Sequence, residues 1–458
     1  MLVIAVLCVL SVLSLVLHVI ASRAESNTAP GANAGFRKLQ RQFFTVYFLA
    51  TFSDWLQGPY VYKLYSHYGY TDKQIAVLYV IGFGSSVAFG TAVGSLADRI
   101  GRKKLCIAYS FLYSICCLTK TTPSYGILVL GRVLGGISTS ILFSTFEAWY
   151  VHQHIEKYNF PPQWINNTFA EATFFNGILA IAAGIISNLM AEWVGFGPVS
   201  PFVFAVPCLA VSGLLTAYSW EENDIKQPQK LGYTTLKALK IIFSASNSSL
   251  ILLGVIQSLL ESVMYIFIFL WTPILEPMSP PLGIVFSCFM VCIMIGSSMY
   301  SFLLSRRVRP EHMLTLSMSL AFLALTVCAI ATSSPSKPIT HACFVAFLSF
   351  EISIGIYYPA IGYLRSRVIP EEYRASITSW FRVPMNLLTC VSLLWLRDGK
   401  PRADGKQEGQ HDGLEKSSHV TFLICACFLL LASLLSTQFT RKFQDSEKKE
   451  VLETQLLI

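Results

Sequence analysis

Long apolar runs separated by short polar segments dominate this chain. One run covers residues 2–21, and twelve more lie at 42–62, 75–97, 105–121, 126–150, 166–190, 199–219, 249–271, 283–304, 313–331, 341–363, 376–396 and 418–440. Most hold roughly 20 residues, which is the length an α-helix needs to cross the hydrocarbon core of a bilayer. The pattern therefore predicts an N-terminal membrane helix followed by twelve further membrane helices.

The widest gap between apolar runs divides the twelve spans into six and six. This gap, 220–248, contains "EENDIKQPQK" and is predicted to be a cytoplasmic linker. The predicted organisation is an anchor helix with a basic loop (1–41), a six-helix bundle (42–219), the linker (220–248), a second six-helix bundle (249–440) and a cytoplasmic tail (441–458).

Basic residues fix the predicted orientation. If the loop between spans 2 and 3 is cytoplasmic, 23 of the 34 Lys and Arg residues lie on the cytoplasmic side. Short cytoplasmic loops of membrane proteins carry such an excess. The N-terminal run has no basic residue before it, unlike a cleaved signal peptide. We expect a retained anchor with its N-terminus outside and the C-terminus in the cytoplasm.

The composition excludes several classes of protein. Only 13% of the residues are charged, against about 25% in soluble proteins. The net charge of +8 comes from basic residues in membrane loops, so we do not expect nucleic-acid binding. The 12 cysteines lie mostly inside apolar runs, and no metal-ligand spacing or disulfide framework is apparent. No nucleotide-binding loop or nucleophile triad occurs, so we expect neither an enzyme nor a cofactor.

The loop after span 2 reads "GSLADRIGRKK", residues 94–104. Gly101 permits a tight turn because glycine tolerates positive φ. Asp98 is expected to face the positive N-terminal end of span 11. Arg102 then needs an anionic partner, for which Glu147, near the cytoplasmic end of span 4, has the right depth.

This loop resembles the signature loop of the major facilitator superfamily, which lies between the second and third helices. The resemblance implies twelve core helices in two six-helix bundles, and an inner gate formed by Asp98, Arg102 and Glu147. Arg374 resembles a basic position that many members carry before span 11.

Other stretches resemble the eukaryotic molybdate-anion transporter branch of that superfamily: "DWLQGPYVYKLY" (54–65), "GRVLGGISTSILFSTFEAWYVH" (131–152), "ESVMYIFIFLWTPILEP" (261–277) and "SWFRVP" (379–384). The resemblance extends to about residue 440. It implies molybdate uptake at the plasma membrane.

Charged residues inside the apolar runs are the candidates for the transport site. Asp54, Glu261 and Glu351 fall near the middle of spans 1, 7 and 10, and Arg382 and Arg132 lie within spans 11 and 4. A charge at the bilayer centre costs about 2.5–3.5 kcal/mol on insertion scales, so such residues face a cavity or a partner. Because Asp54 and Glu261 occupy matching places in the first helix of each half, we expect them to face a shared cavity.

Molybdate is a tetrahedral dianion, so its site needs hydrogen-bond donors. Arg382 is the first candidate and Arg132 the second, with Gln57, Trp55 and Asn386 as neutral donors. Ionised carboxylates repel a dianion. Asp54, Glu261 and Glu351 are therefore predicted to be proton carriers or counter-ions of the arginines.

Three alternatives remain open from the sequence. The same fold carries sugars or organic anions in other proteins, a transport-silent sensor or scaffold has the same pattern, and the buried charges also fit structural ion pairs between helices. The predicted partners are molybdate or a related oxyanion, the lipid bilayer and protons, and the chain is expected to be a monomer.

Overall fold

A computed structural model describes residues 2–24, 33–222, 237, 239–244, 248–333, 338–370, 374–395 and 410–456. In these ranges all regular secondary structure is helical. The first half contains α1 (Leu2–Ala24), α2 (Ala34–Gln57), α3 (Val61–His67), α4 (Asp72–Ile100), α5 (Arg102–Thr119), α6 (Tyr125–Leu142), α7 (Thr145–His152), α8 (Gln163–Asn188) and α9 (Ser200–Ser219). The second half contains α10 (Ser248–Leu275), α11 (Leu282–Ser305), α12 (Pro310–Ala331), α13 (Pro338–Val368), α14 (Arg374–Leu394) and α15 (Gln410–Leu456).

Every predicted span lies on one of these helices or on a consecutive pair. In the described part of the chain, 10 helical segments are long and apolar enough to cross a membrane. Helices α2 and α5 fall below that hydropathy level because their first turns hold the polar and basic residues of "FRKLQRQ" and "RKK". The apolar part of α14 is shorter, Trp380–Leu394. The last helix continues to Leu456, through most of the segment assigned to the tail.

Two predicted spans are interrupted. Pro59 lies in a 3₁₀ turn, Gly58–Tyr60, between α2 and α3, as expected of a residue that cannot donate a backbone hydrogen bond. Span 4 breaks at Phe143 and Ser144, which the sequence analysis did not predict. The Ser144 hydroxyl donates to the carbonyl of Ser140 at 2.7 Å. Serine side chains that bind nearby backbone carbonyls compete with regular helix geometry.

Helix α4 has defined ends. Thr71 and Gln74 form a capping box at its start, where each side chain binds the other residue's backbone N–H. This arrangement satisfies N–H groups that have no partner in the first turn. The helix ends at Gly101, whose φ of +108° confirms the predicted turn. The short connection to α5 depends on this glycine.

The helices form two compact units. The first comprises Met1–Cys8, Ser26–Lys230 and Ser279–Val291, and the second comprises Val9–Glu25, Leu231–Met278 and Cys292–Ile458. The start of α11 therefore packs with the first unit. There Gly283 lies so close to α8 that an added Cβ would be 2.1 Å from the carbonyl oxygen of Gly184. Small residues permit such close helix contact in membranes.

Close glycine contacts also occur inside each unit. In the first, a Cβ on Gly136 of α6 would lie 2.6 Å from the Gly82 carbonyl oxygen of α4. In the second, a Cβ on Gly296 of α11 would lie 2.1 Å from the Ile352 carbonyl oxygen of α13. These contacts bring polar side chains on neighbouring helices within hydrogen-bond distance.

Candidate functional site

Asp54 is held by a tyrosine in the first unit. It lies on α2 and accepts a hydrogen bond from the Tyr113 hydroxyl of α5. Tyr113 is buried, whereas Asp54 is half-buried. The neighbouring Tyr109 donates to the backbone carbonyl of Ala50 at 3.1 Å. A phenol that donates to a carboxylate stabilises its charged form without neutralising it.

Glu147 belongs to the same polar region of the first unit. The charges of Asp54 and Glu147 both act on the phenol of Tyr47, which precedes Asp54 on α2. The Glu147 side chain is exposed. This arrangement gives the first unit two carboxylates around one tyrosine.

The neutral donors predicted beside Asp54 have different partners. The Trp55 indole N–H donates to Asn176 Oδ1 on α8 at 2.9 Å. Gln57 is buried, and its Nε2 donates to the Ser53 carbonyl of its own helix at 3.1 Å. The amide of Gln57 is therefore engaged within α2, whereas Trp55 joins α2 to α8.

Glu261 is the corresponding carboxylate of the second unit. It lies on α10, and its Oε1 accepts a hydrogen bond from the Tyr357 hydroxyl of α13 at 2.9 Å. Gln257, one turn earlier on α10, also acts on this carboxylate. Tyr357 and Gln257 are both buried. Asp54 and Glu261 therefore share one motif, a mid-span carboxylate that accepts from a buried tyrosine.

Two arginines act on Glu261. The charges of Arg365 on α13 and Arg382 on α14 both interact electrostatically with its carboxylate. Arg382 is exposed, and Arg365 is half-buried. Asn386 is buried and its Nδ2 donates to the Arg382 carbonyl at 2.8 Å, so its amide is used inside α14. Arg365 was missed by the sequence analysis because it was counted among the loop charges.

Glu351 has a different environment. It is buried at 6% exposure on α13, and no described side chain or backbone group forms a hydrogen bond or ion pair with it. A buried carboxyl without a partner is costly when it is ionised. This environment favours a protonated Glu351.

Arg132 lies against α4 and away from the other predicted donors of the first unit. Its Nε donates to the Leu78 carbonyl at 3.0 Å, and its Cζ lies 5.0 Å from the centre of the Tyr79 ring. A Cβ on Gly82 would be 2.5 Å from the Arg132 Nη2 atom. The glycine thus provides the space that this guanidinium occupies.

The signature loop contacts α7. The Arg102 Nη1 donates to the Ala148 carbonyl oxygen at 2.7 Å, next to Glu147 in the chain. The guanidinium therefore reaches a main-chain oxygen beside the predicted partner. The side chains of Asp98 and Arg374 lie outside the described residues.

The segment after α9 also packs against the signature loop, which the sequence analysis did not predict. The Glu222 carboxylate accepts from the backbone N–H groups of Lys103 at 2.9 Å and Lys104 at 3.2 Å, in the first turn of α5. A carboxylate is favourable at a helix N-terminus because of the exposed N–H groups and the helix dipole. A Cβ on Gly101 would lie 2.5 Å from this carboxyl group.

Two tryptophans fix this segment. Trp149 and Trp220 stack with ring centres 3.7 Å apart, and the Trp149 indole donates to the Glu221 carbonyl at 2.8 Å. Lys157 forms an ion pair with Glu221, and its ammonium group lowers the pKa of that exposed carboxyl. The start of the linker is therefore held against α7 and the signature loop.

Comparisons with known proteins support one family. A protein family described as sugar transporters with 12 membrane spans matches residues 1–350. A molybdate-anion transporter of Takifugu rubripes is 42% identical over 451 residues, covering 93% of this chain and 92% of that protein. One from Xenopus laevis is 42% identical over 454 residues, covering 98% of this chain and 97% of that protein.

A solved structure shares the fold. The crystal structure of a D-xylose-proton symporter aligns with a TM-score of 0.67 at 11% sequence identity, covering 88% of this chain and 98% of that chain. This likeness confirms the predicted twelve-helix architecture and, at this identity, concerns the fold alone. With its signature loop, its paired mid-span carboxylates and its near full-length relatives, the chain belongs to the molybdate-anion transporter branch of the major facilitator superfamily.

Proposed function

We propose that this protein is a secondary transporter that carries molybdate across the membrane by alternating access. The observation that carries the proposal is the group of Arg365, Arg382 and Glu261 on three helices of the second unit. Two guanidinium groups supply several donors in a planar arrangement that suits a tetrahedral oxyanion. The proposal extends to this chain the substrate for which its curated relatives are named.

In this proposal Glu261 is the internal counter-ion of the two arginines. When no substrate is bound, its carboxylate offsets their charge inside apolar helices. An arriving dianion competes with the carboxylate for the positive charge of the two arginines. Glu261 then takes a proton or turns further toward Tyr357, which already donates to it at 2.9 Å.

We assign proton coupling to the three mid-span carboxylates. Asp54 and Glu261 each have a tyrosine donor that tolerates either protonation state, and Glu351 is buried without a partner among the described groups. A proton carried with the dianion reduces the charge that must cross the low-dielectric interior. Molybdate uptake that ignored an imposed pH gradient would rule out this coupling.

Substrate contact is assigned to Arg382 and Arg365. The Trp55 indole N–H donates to Asn176 Oδ1, and the amides of Gln57 and Asn386 donate to carbonyls of their own helices. Substrate contact by any of these three neutral donors therefore requires a change of hydrogen-bond partner. Arg132 remains a second candidate, and its Nε donates to the Leu78 carbonyl of α4.

The inner gate remains part of the proposal, with Asp98, Arg102, Glu147 and Arg374 as its residues. The Arg102 bond to the Ala148 carbonyl is consistent with a guanidinium that changes partners when the gate moves. We further propose a plasma-membrane monomer with its N-terminus outside and its C-terminus in the cytoplasm.

A sugar carrier is the competing function, because the matched family is described as sugar transporters. The two substrates make different demands on the second unit. A neutral sugar has no need of paired arginines, whereas a dianion depends on them. Removing one arginine therefore separates the two functions.

The test measures uptake of radiolabelled molybdate in cells that lack their own molybdate transport. We expect wild type to accumulate the label, and Arg382→Ala to lose at least about tenfold in uptake at an unchanged surface level, because each 1.4 kcal/mol of lost binding free energy is a factor of about ten. Arg367→Ala is the matched control, since Arg367 is exposed two residues after Arg365.

Three results would contradict the proposal. Full uptake by Arg382→Ala removes this arginine from the site. Inhibition of wild-type uptake by excess glucose or xylose, but not by tungstate, favours the sugar carrier. A wild-type protein that reaches the surface and moves nothing favours a sensor or scaffold.

A further inference from the structure

Lys120 is a buried cation that the transport proposal does not use. It follows the last residue of α5, and its side chain is 2% exposed. Its Nζ donates to the Tyr65 hydroxyl at 2.6 Å and lies 5.1 Å from the centre of the Tyr65 ring. Tyr65, on α3, is itself fully buried. One phenol satisfies only one of the three N–H bonds of an ammonium group.

Arg132 occupies the same region of the first unit. The Lys120 Nζ lies 3.4 Å from the position of a Cβ on Gly131, the residue that precedes Arg132. The charges of Lys120 and Arg132 both act on the thiol of Cys116. The rings beneath the two cations, Tyr65 and Tyr79, also interact electrostatically. Two positive side chains therefore act on the same thiol, one from the end of α5 and one from α6.

Neither cation has an acidic partner in the part of the chain that the structure describes. Among the side chains that the structure describes, no carboxylate forms an ion pair or hydrogen bond with Lys120 or Arg132. Asp72, at the start of α4, accepts instead from the Tyr62 hydroxyl. Lys120 is buried and Arg132 is half-buried, and a buried charge without a counter-ion is costly.

We propose that Lys120 and Arg132 hold a small inorganic anion, either chloride or a tetrahedral oxyanion. The ammonium group supplies its remaining N–H donors, and the guanidinium supplies those that do not face the Leu78 carbonyl. The Tyr65 and Tyr79 rings shield the anion from water. Such an anion neutralises both cations and links α3, α4, α5 and α6, so it stabilises the first unit. This anion site uses none of the arginines that the transport proposal assigns to the second unit.

The test is thermal unfolding of the purified full-length protein in detergent at constant ionic strength. All variants carry Arg365→Ala and Arg382→Ala, so that both arginines of the proposed transport site are absent. Gluconate, a large organic anion, is replaced stepwise by chloride in one series and by molybdate in another. We expect at least one small anion to raise the Tm by about 2–5 °C, as mass action predicts for a ligand of the native state.

Lys120→Gln is expected to lose this anion-dependent rise and to unfold in gluconate at or above the temperature of its parent, because the buried charge without a counter-ion is gone. Lys120→Arg keeps the rise. Lys73→Gln is the control, since it removes an exposed lysine from the start of α4. If Lys120→Gln does not fold, Arg132→Gln is measured with the same expectations.

The two series distinguish the sources of the anion. A rise with chloride identifies a halide site, and a rise with molybdate alone identifies a second oxyanion site. The proposal is overturned if neither anion raises the Tm, or if Lys120→Gln keeps the rise. Equal loss of the rise in Lys73→Gln also overturns it, because that result indicates general charge screening.

Discussion

At the scale of single residues, tyrosine is the partner of three charged side chains. Tyr113 donates to Asp54, Tyr357 donates to Glu261, and Tyr65 accepts from Lys120. A phenol has an apolar ring that packs among helices and a hydroxyl that serves a charge of either sign. Each of these ionic groups thereby gains a partner without a second full charge in the apolar interior.

The pairing of Glu261 with Tyr357 gives a prediction about coupling. Glu261→Gln keeps the shape and a hydrogen bond to Tyr357 but removes the titrating proton. We expect its molybdate uptake to lose its response to an imposed pH gradient, while exchange of labelled for unlabelled molybdate continues. Uptake and exchange assays in the same vesicles measure both properties.

The control for this variant is Glu156→Gln, which changes an exposed carboxylate in the segment after α7. It is expected to behave as wild type in both assays. If Glu261→Gln responds to the pH gradient as wild type does, the proton is carried elsewhere. In that case Asp54 and Glu351 become the remaining candidates.

Sequence reasoning found the charged residues of the site and missed most of their partners. Asp54 and Glu261 stand out because a carboxylate in an apolar run is costly. Tyr113 and Tyr357 do not stand out, since tyrosine is common in membrane helices. Arg365 and Lys120 lie near the ends of spans, where basic residues usually determine orientation, and only the structure brings them to Glu261 and Arg132.

At the scale of helices, pattern and structure agree on where the spans lie and differ on their continuity. Every predicted span coincides with helix because apolar length is a strong signal. The break between α6 and α7 has no glycine or proline at it, only Phe143 and Ser144. A hydroxyl that binds a backbone carbonyl is compatible with both a continuous and a broken helix, so sequence alone does not predict the interruption.

Glycine contacts between helices give a prediction about stability. On α13, a Cβ at Gly355 would lie 2.2 Å from the Ile293 carbonyl oxygen of α11, whereas a Cβ at Gly362 would meet no atom within 4 Å. Gly355→Ala must push two backbones apart, and overpacking of this kind costs typically about 1–3 kcal/mol. Gly362→Ala is expected to be neutral or stabilising by up to about 1 kcal/mol, because alanine favours helix.

Thermal unfolding of the two purified glycine variants measures this difference. Gly355→Ala is expected to unfold below wild type, and Gly362→Ala at or above it. Equal Tm values for the two variants would show that α11 and α13 tolerate separation at this contact.

At the scale of the whole molecule, each of the two units contains one carboxylate and tyrosine pair. The matching positions of Asp54 and Glu261 in spans 1 and 7 predict the repeated carboxylate but not its tyrosine partner. The arginines do not repeat in the same way, since Arg365 and Arg382 lie in the second unit and Arg132 packs against α4 in the first. The proposal accordingly assigns anion recognition to the second unit and treats the carboxylates of both units as proton carriers.

The beginning of the linker is the feature of the whole molecule that sequence analysis missed most completely. The sequence predicts a polar connection here, yet Glu222 caps α5 and Trp220 stacks on Trp149. A glutamate in "WEEND" has no distinctive pattern, and its partner is the backbone of a loop far away in sequence. Only the folded arrangement of α5, α7 and α9 identifies this contact.

Uptake of radiolabelled molybdate into liposomes that contain only the purified protein tests the central claim most directly. The account predicts accumulation with wild type and Arg367→Ala, driven further by an inward proton gradient, and loss of at least about tenfold with Arg382→Ala. Uptake by wild type no greater than in protein-free liposomes, or undiminished uptake by Arg382→Ala, would contradict it.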